Sequence, residues 1–245
     1  MGAKRGSAGA VKRGTPPRPK ATAPAPVRPV RYVFAAHGYR SRRHVEWCED
    51  ARARIEAEPA SVHNPTAPRL VVQPVTQGFV HLLNVRRRTQ SHASRLASIC
   101  PPGSAGIGHS NGCALLLQAA RLGAPLDHLV FINPALRPDE PIPEGVRFVD
   151  VFYAPNDCAV VWGGIWRRVN PVGWFSELPK WGTMGRKGYQ GEAPPGVVRN
   201  WNLGNVGHGG ALDWDRGTRL WTLIAQLLRY PDMPDIRQAT GRPLF

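Results

Sequence analysis

The sequence predicts an α/β protein built on a doubly wound, mostly parallel sheet of about six strands with helices on both faces. Two observations predict this fold class. Short, nearly continuous apolar runs rich in β-branched and aromatic residues recur along the chain, and stretches of helical character separate most of them. Strands that are apolar on both sides are typical of parallel sheets buried between two layers of helices.

The elements follow from these runs in chain order. Strands are predicted at 31–36, 70–75, 104–108, 128–133, 146–153 and 197–203. Helices are predicted near 42–57, 79–99, 111–122 and 216–230, and the last of these has a clear apolar stripe at helical spacing. The stretch 134–145 between the fourth and fifth strands is too rich in proline for a helix.

The length of the chain suits one folded domain preceded by a tail. It has 245 residues, of which 42% are apolar, and this is enough for a sizeable core. We expect a basic, Pro- and Ala-rich tail over residues 1–30 and a single domain over 31–245. A Trp- and Gly-rich insertion is expected within that domain at 158–196.

Positive charge is concentrated at the front of the chain. The net charge is +15, and residues 1–45 carry basic side chains but no Asp or Glu. Residues 1–30 have almost nothing to bury, so they are predicted to be disordered. Residues 1–31 could act as an electrostatic arm that contacts nucleic acid or an anionic surface. The other interpretations are a solvated tail, an uncertain start site and an organelle transit peptide. The glycines of this segment oppose the amphipathic helix of a transit peptide.

Metal, disulfide and membrane functions are not expected from the sequence. The four cysteines stand far apart, without the paired spacing or clustered histidines of a metal site. Free thiols in a reducing compartment, the cytoplasm, are therefore expected. No apolar run approaches the roughly 18 residues needed to span a membrane.

A glycine–serine motif is the first sign of chemistry. Residues 106–114 read Gly-Ile-Gly-His-Ser-Asn-Gly-Cys-Ala and contain the pattern Gly108-x-Ser110-x-Gly112 between a predicted strand and a predicted helix. A serine on such a sharp turn presents its hydroxyl to a bound carbonyl, and glycines let the backbone turn without a clash.

A serine nucleophile needs a histidine to take its proton and an acid to orient that histidine. Such groups gather at the carboxyl ends of parallel strands. Asp157 follows the fifth predicted strand and His208 follows the sixth, which completes the order Ser110, Asp157, His208. Asp139 and Glu140 remain rival acids after the fourth strand.

Other titratable residues near these motifs are expected to have structural roles. Asp150 lies within a strand and should face away from the site. Asp213 and Asp215 are interpreted as charges at the start of the last helix. Among the histidines, His37 is expected to be structural, and His109 is expected to pack or hydrogen-bond beneath the serine.

With these residues in this order, the chain resembles a small, capless, esterase- or lipase-like member of the α/β-hydrolase superfamily over about residues 30–230. The resemblance implies Ser110 as nucleophile, Asp157 as acid and His208 as base. His37-Gly38 matches the family's His-Gly loop. The implied oxyanion hole uses the backbone N–H groups of Asn111 and Tyr39.

The chain departs from the family's pattern in two places. The front of the sheet is shorter than the family's eight strands, since nothing before Arg31 can supply two more. The proline-rich stretch 134–145 also leaves no room for a cap domain, which suggests a site that is open from that side.

The insertion at 158–196 is the distinctive part of the sequence. It contains Trp162, Trp166, Trp174 and Trp181. These rings are predicted either to bind an acyl or aromatic group of the substrate or to anchor a long loop to the body of the domain.

The sequence thus predicts a serine hydrolase that acts on a small acyl substrate and needs no metal or organic cofactor. A carboxylic ester is the expected substrate, because esters are the most frequent substrates of such enzymes. Thioester and amide hydrolysis use the same groups. The alternative is a binding protein on the same scaffold that holds nucleic acid or an anionic surface with its basic arm.

Overall fold

The structure, a computed structural model, describes residues 30–37, 44–57, 68–75, 85–159, 181–232 and 243–244. Its centre is one sheet of six parallel strands in the spatial order β2-β1-β3-β4-β5-β6. The strands are β1 (Val30–Ala36), β2 (Arg69–Val75), β3 (Ser104–His109), β4 (Leu126–Ile132), β5 (Phe148–Tyr153) and β6 (Val198–Asn202). The predicted fold class is therefore confirmed. The tail predicted at 1–30 lies, except for Val30, outside the described residues.

Four helices lie where they were predicted, and a short fifth one, Met184–Lys187, was not predicted. They are α1 (His44–Ala57), α2 (Val85–Ile99), α3 (Asn111–Arg121), a single turn α4 (Met184–Lys187) and α5 (Trp214–Arg229). The stretch 134–145 contains no helix, as its prolines predicted. None of the helices in the described part of the chain has the length and hydropathy of a membrane span. The four cysteines all have free thiols.

The two faces of the sheet line two separate cores, because successive side chains of a strand point to opposite faces. Val33 and Ala35 of β1 pack with α1 and α5, whereas Phe34 and Ala36 pack with α2 and α3. The same alternation recurs along β4 and β5. This double burial explains why the strands are almost wholly apolar, and it confirms helices on both faces.

The strand order reverses between β1 and β3. From β1 the chain moves outward to the edge strand β2 and then returns to place β3 on the other side of β1. A crevice forms outside the carboxyl ends of the strands at such a reversal, where open α/β sheets bind ligands. In this chain those ends lead into His37 and Ser110.

A buried ionic cluster lies within the sheet, away from these strand ends. The Asp150 carboxylate is fully buried and accepts two hydrogen bonds from Arg199, each at 2.7 Å. It also accepts one from Trp201 Nε1 at 2.7 Å, and His128 Nε2 lies 2.6 Å from its Oδ2. Asp150 therefore faces away from the candidate site, as expected.

The cluster makes folding stability depend on pH through His128. Burial lowers the pKa of His128 below its usual 6.5, and nearby Arg31 and Arg199 act in the same direction against the attraction of Asp150. The folded protein therefore holds this imidazole neutral, whereas the unfolded chain takes up a proton near pH 6.5. The free energy of unfolding should consequently fall as the pH drops below about 6.5.

We predict that His128→Gln reduces this dependence, because glutamine keeps an N–H group for Asp150 and cannot titrate. The measurement is urea unfolding of both proteins at several values between pH 5 and pH 8. The variant should lose less stability on acidification than the wild type, whatever its stability at pH 8. Parallel pH profiles for the two proteins would contradict the assignment.

Candidate active site

The backbone at Ser110 is strained. Ser110 stands between the last residue of β3 and the first of α3, with φ 55° and ψ −122°. Non-glycine residues rarely adopt positive φ, and such strain is held only where the surrounding structure fixes it. Here the Ser110 N–H donates to the Ile132 carbonyl at 3.1 Å, which ties the turn to β4.

The two glycines of the motif make room for this turn. A Cβ atom on Gly108 would lie 2.7 Å from the backbone nitrogen of Cys113. A Cβ atom on Gly112 would lie 2.0 Å from the carbonyl oxygen of Ala36 and 2.9 Å from that of His37. Glycine at 112 therefore lets the first turn of α3 touch the carboxyl end of β1.

The acid and the base predicted from the sequence meet at the same edge of the sheet. Asp157 follows β5 and is fully buried, and His208 follows β6 with 26% of its side chain exposed. His208 Nδ1 lies 2.8 Å from Asp157 Oδ2. With Nδ1 bound to the carboxylate, Nε2 is the nitrogen left to accept a proton.

Asn133 is a residue of this site that the sequence reasoning missed. It follows β4, is fully buried and has φ 43°. Its Nδ2 donates to Asp157 Oδ2 at 3.1 Å, which is the same oxygen that His208 binds. The other oxygen, Oδ1, accepts from the Ala159 N–H at 3.1 Å. An asparagine directly after a strand, where positive φ is tolerated, was the available signal.

The loop that carries His208 is attached at two further points. The Gly207 N–H donates to Asn156 Oδ1 at 2.9 Å, and Gly207 has φ 67°. His109 Nε2 lies 3.0 Å from the carbonyl oxygen of His208. Asn156 directly precedes Asp157, and His109 is the last residue of β3, directly before Ser110, so the loop of His208 is tied to the neighbours of both residues.

Asn111, directly after Ser110, connects the turn to the predicted insertion. Its backbone N–H is the first of α3 and so has no partner within the helix. Its side-chain Oδ1 accepts a hydrogen bond from Trp181 Nε1 at 2.9 Å, and its Nδ2 donates to Thr89 Oγ1 at 3.3 Å. Trp181 therefore lies beside the turn at Ser110.

Several predicted site residues fall where the structure gives no description. These are Tyr39, Trp162, Trp166 and Trp174. His37, in contrast, is described and is buried at the end of β1.

The rival acids are engaged elsewhere. Asp139 forms an ion pair with Arg137, and Glu140 binds Arg121 at 2.8 Å. Among the described contacts, the carboxylate bonded to His208 is that of Asp157.

The described residues thus bring together, at one edge of the sheet, a serine on a strained turn, the first N–H of a helix and a carboxylate–imidazole pair. Between the described residues, no hydrogen bond joins Ser110 Oγ to His208. In free enzymes this contact is often long and tightens when substrate binds.

A parallel sheet whose serine sits on a strand–turn–helix unit is the arrangement of the α/β-hydrolase fold. The fold expected from the resemblance is therefore confirmed, on the six-stranded sheet and on the unit at Ser110.

The chain is similar in structure to several solved proteins. A ydeN-like protein from Pectobacterium atrosepticum is 14% identical with a TM-score of 0.46, over 81% of this chain and 93% of that one. The esterase domain of a Rhodothermus marinus protein is 14% identical with a TM-score of 0.44, over 84% and 87%. The esterase LipW from Mycobacterium marinum is 13% identical with a TM-score of 0.45, over 84% and 75%. No family model and no curated protein matches the sequence.

The close approach at Gly112 yields a prediction for stability. Gly112→Ala places a methyl group against the carbonyl oxygens at the end of β1 and should cost about 3 kcal/mol of unfolding free energy or more. Gly145→Ala is the matched control, because nothing lies within 4 Å of a Cβ atom there. Chemical denaturation of both variants gives the two values. Equal stability of the two variants would show that α3 does not depend on this contact.

Proposed function

We propose that this chain is a serine hydrolase that cleaves a carboxylic ester through an acyl-enzyme intermediate. The observation that carries the proposal is the hydrogen bond between the buried Asp157 carboxylate and His208 Nδ1, at the same sheet edge as the strained Ser110. A buried carboxylate that holds the far nitrogen of a partly exposed imidazole is the arrangement that activates a serine.

In the proposed reaction, the Ser110 hydroxyl attacks the carbonyl carbon of the ester while His208 Nε2 takes its proton. The bond between Oγ and the acyl carbon forms as the carbonyl π bond opens to an oxyanion. Asp157 stabilises the resulting imidazolium through its bond to Nδ1. The proton on Nε2 then passes to the leaving alkoxide, the alcohol departs and the acyl group stays on Ser110.

The oxyanion is proposed to bind backbone N–H groups, chiefly that of Asn111. This donor starts α3, so the partial positive charge at the helix N-terminus adds to its attraction for the oxyanion. The second donor implied by the family resemblance is the N–H of Tyr39, in the loop that follows His37. Preorganised donors of this kind contribute on the order of 10²–10³ to the rate where single ones have been removed.

Hydrolysis of the acyl-enzyme reuses the same groups. His208 Nε2 takes a proton from water, the hydroxide attacks the acyl carbon, and the proton returns to Ser110 Oγ as the carboxylic acid leaves. No redox partner or group acceptor other than water is needed. Thioesters and amides would pass through the same steps with a different leaving group.

The test of the nucleophile is covalent labelling with a fluorophosphonate probe. Such probes react with activated serine hydroxyls, so the wild type should be labelled and Ser110→Ala should not be. Ser94→Ala, which changes an exposed serine of α2, is the matched control and should label like the wild type. The same three proteins are then assayed with p-nitrophenyl esters of increasing acyl length.

The loss of kcat/KM in Ser110→Ala should be at least about 10³-fold, since removal of a nucleophile leaves only binding and oxyanion stabilisation. Equal labelling or equal turnover in Ser110→Ala and the wild type would exclude Ser110 as the nucleophile. Circular dichroism of each variant confirms that the fold is retained.

Trp181 is proposed to form part of the surface that holds the acyl group. Its indole N–H donates to the side chain of Asn111, the residue after Ser110, and this contact supports the proposal. Trp181→Ala should lower kcat/KM by about tenfold more for long or aromatic acyl groups than for acetate, because it removes apolar contact area. Trp181→Phe keeps a ring and loses the hydrogen bond, so its kcat/KM for long acyl groups should lie between those of the wild type and Trp181→Ala. A uniform effect across acyl lengths would assign the ring a structural role.

A further inference from the structure

His109, the residue before Ser110, contacts the loop of the predicted base. Its side chain is 8% exposed, and its Nε2 lies 3.0 Å from the carbonyl oxygen of His208. A carbonyl oxygen can only accept, so His109 Nε2 is the donor and carries the proton in this contact. The two imidazole rings also touch, with centroids 5.0 Å apart and planes at 44°.

The other side of the His109 ring is held by the core. Trp47 of α1 packs edge-on against it, with centroids 6.2 Å apart and an angle of 70°. Trp47 in turn stacks on Trp221 of α5, with centroids 5.8 Å apart and an angle of 5°. Trp221 is fully buried. Four aromatic rings therefore form a continuous series from the core between the sheet and its helices to His208.

The loop around His208 has little stiffness of its own. Residues 204–210 read Gly-Asn-Val-Gly-His-Gly-Gly, and Gly204 and Gly207 have φ 73° and 67°. Glycine-rich backbone loses the most conformational freedom on ordering. The Asp157 bond holds the imidazole at Nδ1, and the bond to Asn156 holds the N–H of the preceding Gly207, but neither holds the carbonyl of His208. The hydrogen bond from His109 removes that freedom at the carbonyl.

We propose that His109 is a positioning residue that fixes the backbone of His208 by hydrogen bonding to its carbonyl, and so aligns Nε2 with Ser110. The inference deepens the proposed function, on which its kinetic arm rests. His109 does not touch the substrate or exchange a proton with it. Because one side chain lies next to the nucleophile and also binds the base, it sets the distance between them.

The experiment compares three substitutions of His109 that distinguish the effect of its N–H donor from the effect of its ring. His109→Gln keeps an N–H at nearly the position of Nε2 and loses the ring. His109→Met has almost the shape of glutamine without a donor, and His109→Phe keeps a ring without a donor. Two donor-free variants of different shape are used so that a folding failure of one leaves the comparison intact. Thermal unfolding is measured for all three.

Two readouts are taken from each protein. The first is kcat and KM for one p-nitrophenyl ester. The second, which needs no activity, is the downfield proton NMR resonance of His208 Nδ1–H in its bond to Asp157. The Met and Phe variants should lower kcat by about 10- to 100-fold with KM nearly unchanged, because displacement of a catalytic group by about 1 Å reduces the rate by this much. Both variants should also broaden the resonance. Gln should keep both close to wild type.

The outcomes separate this inference from the proposed function. If the wild type neither hydrolyses esters nor reacts with the fluorophosphonate, but the resonance broadens in Met and Phe and not in Gln, the positioning role stands and the proposed function fails. If the wild type hydrolyses esters and Gln is as impaired as Met, the donor has no special role and the inference is overturned. Wild-type kcat and resonance in Met and Phe would overturn it equally.

Discussion

The packing of α3 directly against the carboxyl end of β1 is the constraint on which the rest of the site depends. A Cβ atom at Gly112 would come within 2.0 Å of the Ala36 carbonyl oxygen, so helix and strand meet through backbone alone. This approach forces the chain to turn sharply after β3, and the turn places Ser110 in a conformation that non-glycine residues rarely adopt. Strain at one residue is thus the consequence of close packing at another, two positions later.

The parallel sheet supplies the rest of the geometry. Because all six strands point the same way, the loops after β3, β5 and β6 emerge at one edge, and Ser110, Asp157 and His208 emerge with them. Topology alone brings such loops together only roughly, whereas proton transfer requires atomic distances. The finer placement comes from hydrogen bonds between these groups or their loops and a second set of residues. Asn133 holds the carboxylate, and the side-chain oxygen of Asn156 holds the loop that carries His208.

The sequence predicted the strands and the longer helices, and it placed Ser110, Asp157 and His208 at strand ends, but it did not show which residues hydrogen-bond to them. Buried parallel strands can be predicted because both of their faces must be apolar. The turn at Ser110 can be predicted because it requires glycines at fixed offsets. The position of Asn133 directly after a strand was a weaker signal, because its role depends on where its side-chain amide points once β4 lies beside β5. The buried cluster around Asp150 was likewise hidden, since its partners Arg199 and His128 come from neighbouring strands far apart in sequence. Which side chains meet across neighbouring strands depends on the register of the sheet.

The described end of the insertion, from Trp181 onward, contacts both Asp157 and the surface proposed to hold substrate. At its start, Trp181 binds the side chain of Asn111. Four residues later a Cβ atom on Gly185 would lie 3.0 Å from Asp157 Oδ2, so the backbone there lies against the carboxylate. The Gly185 N–H also donates to the Pro134 carbonyl at 2.8 Å, which fixes the segment to the loop after β4. A change in this segment that reshapes substrate contact therefore also shifts the environment of Asp157, so specificity and catalytic rate should vary together.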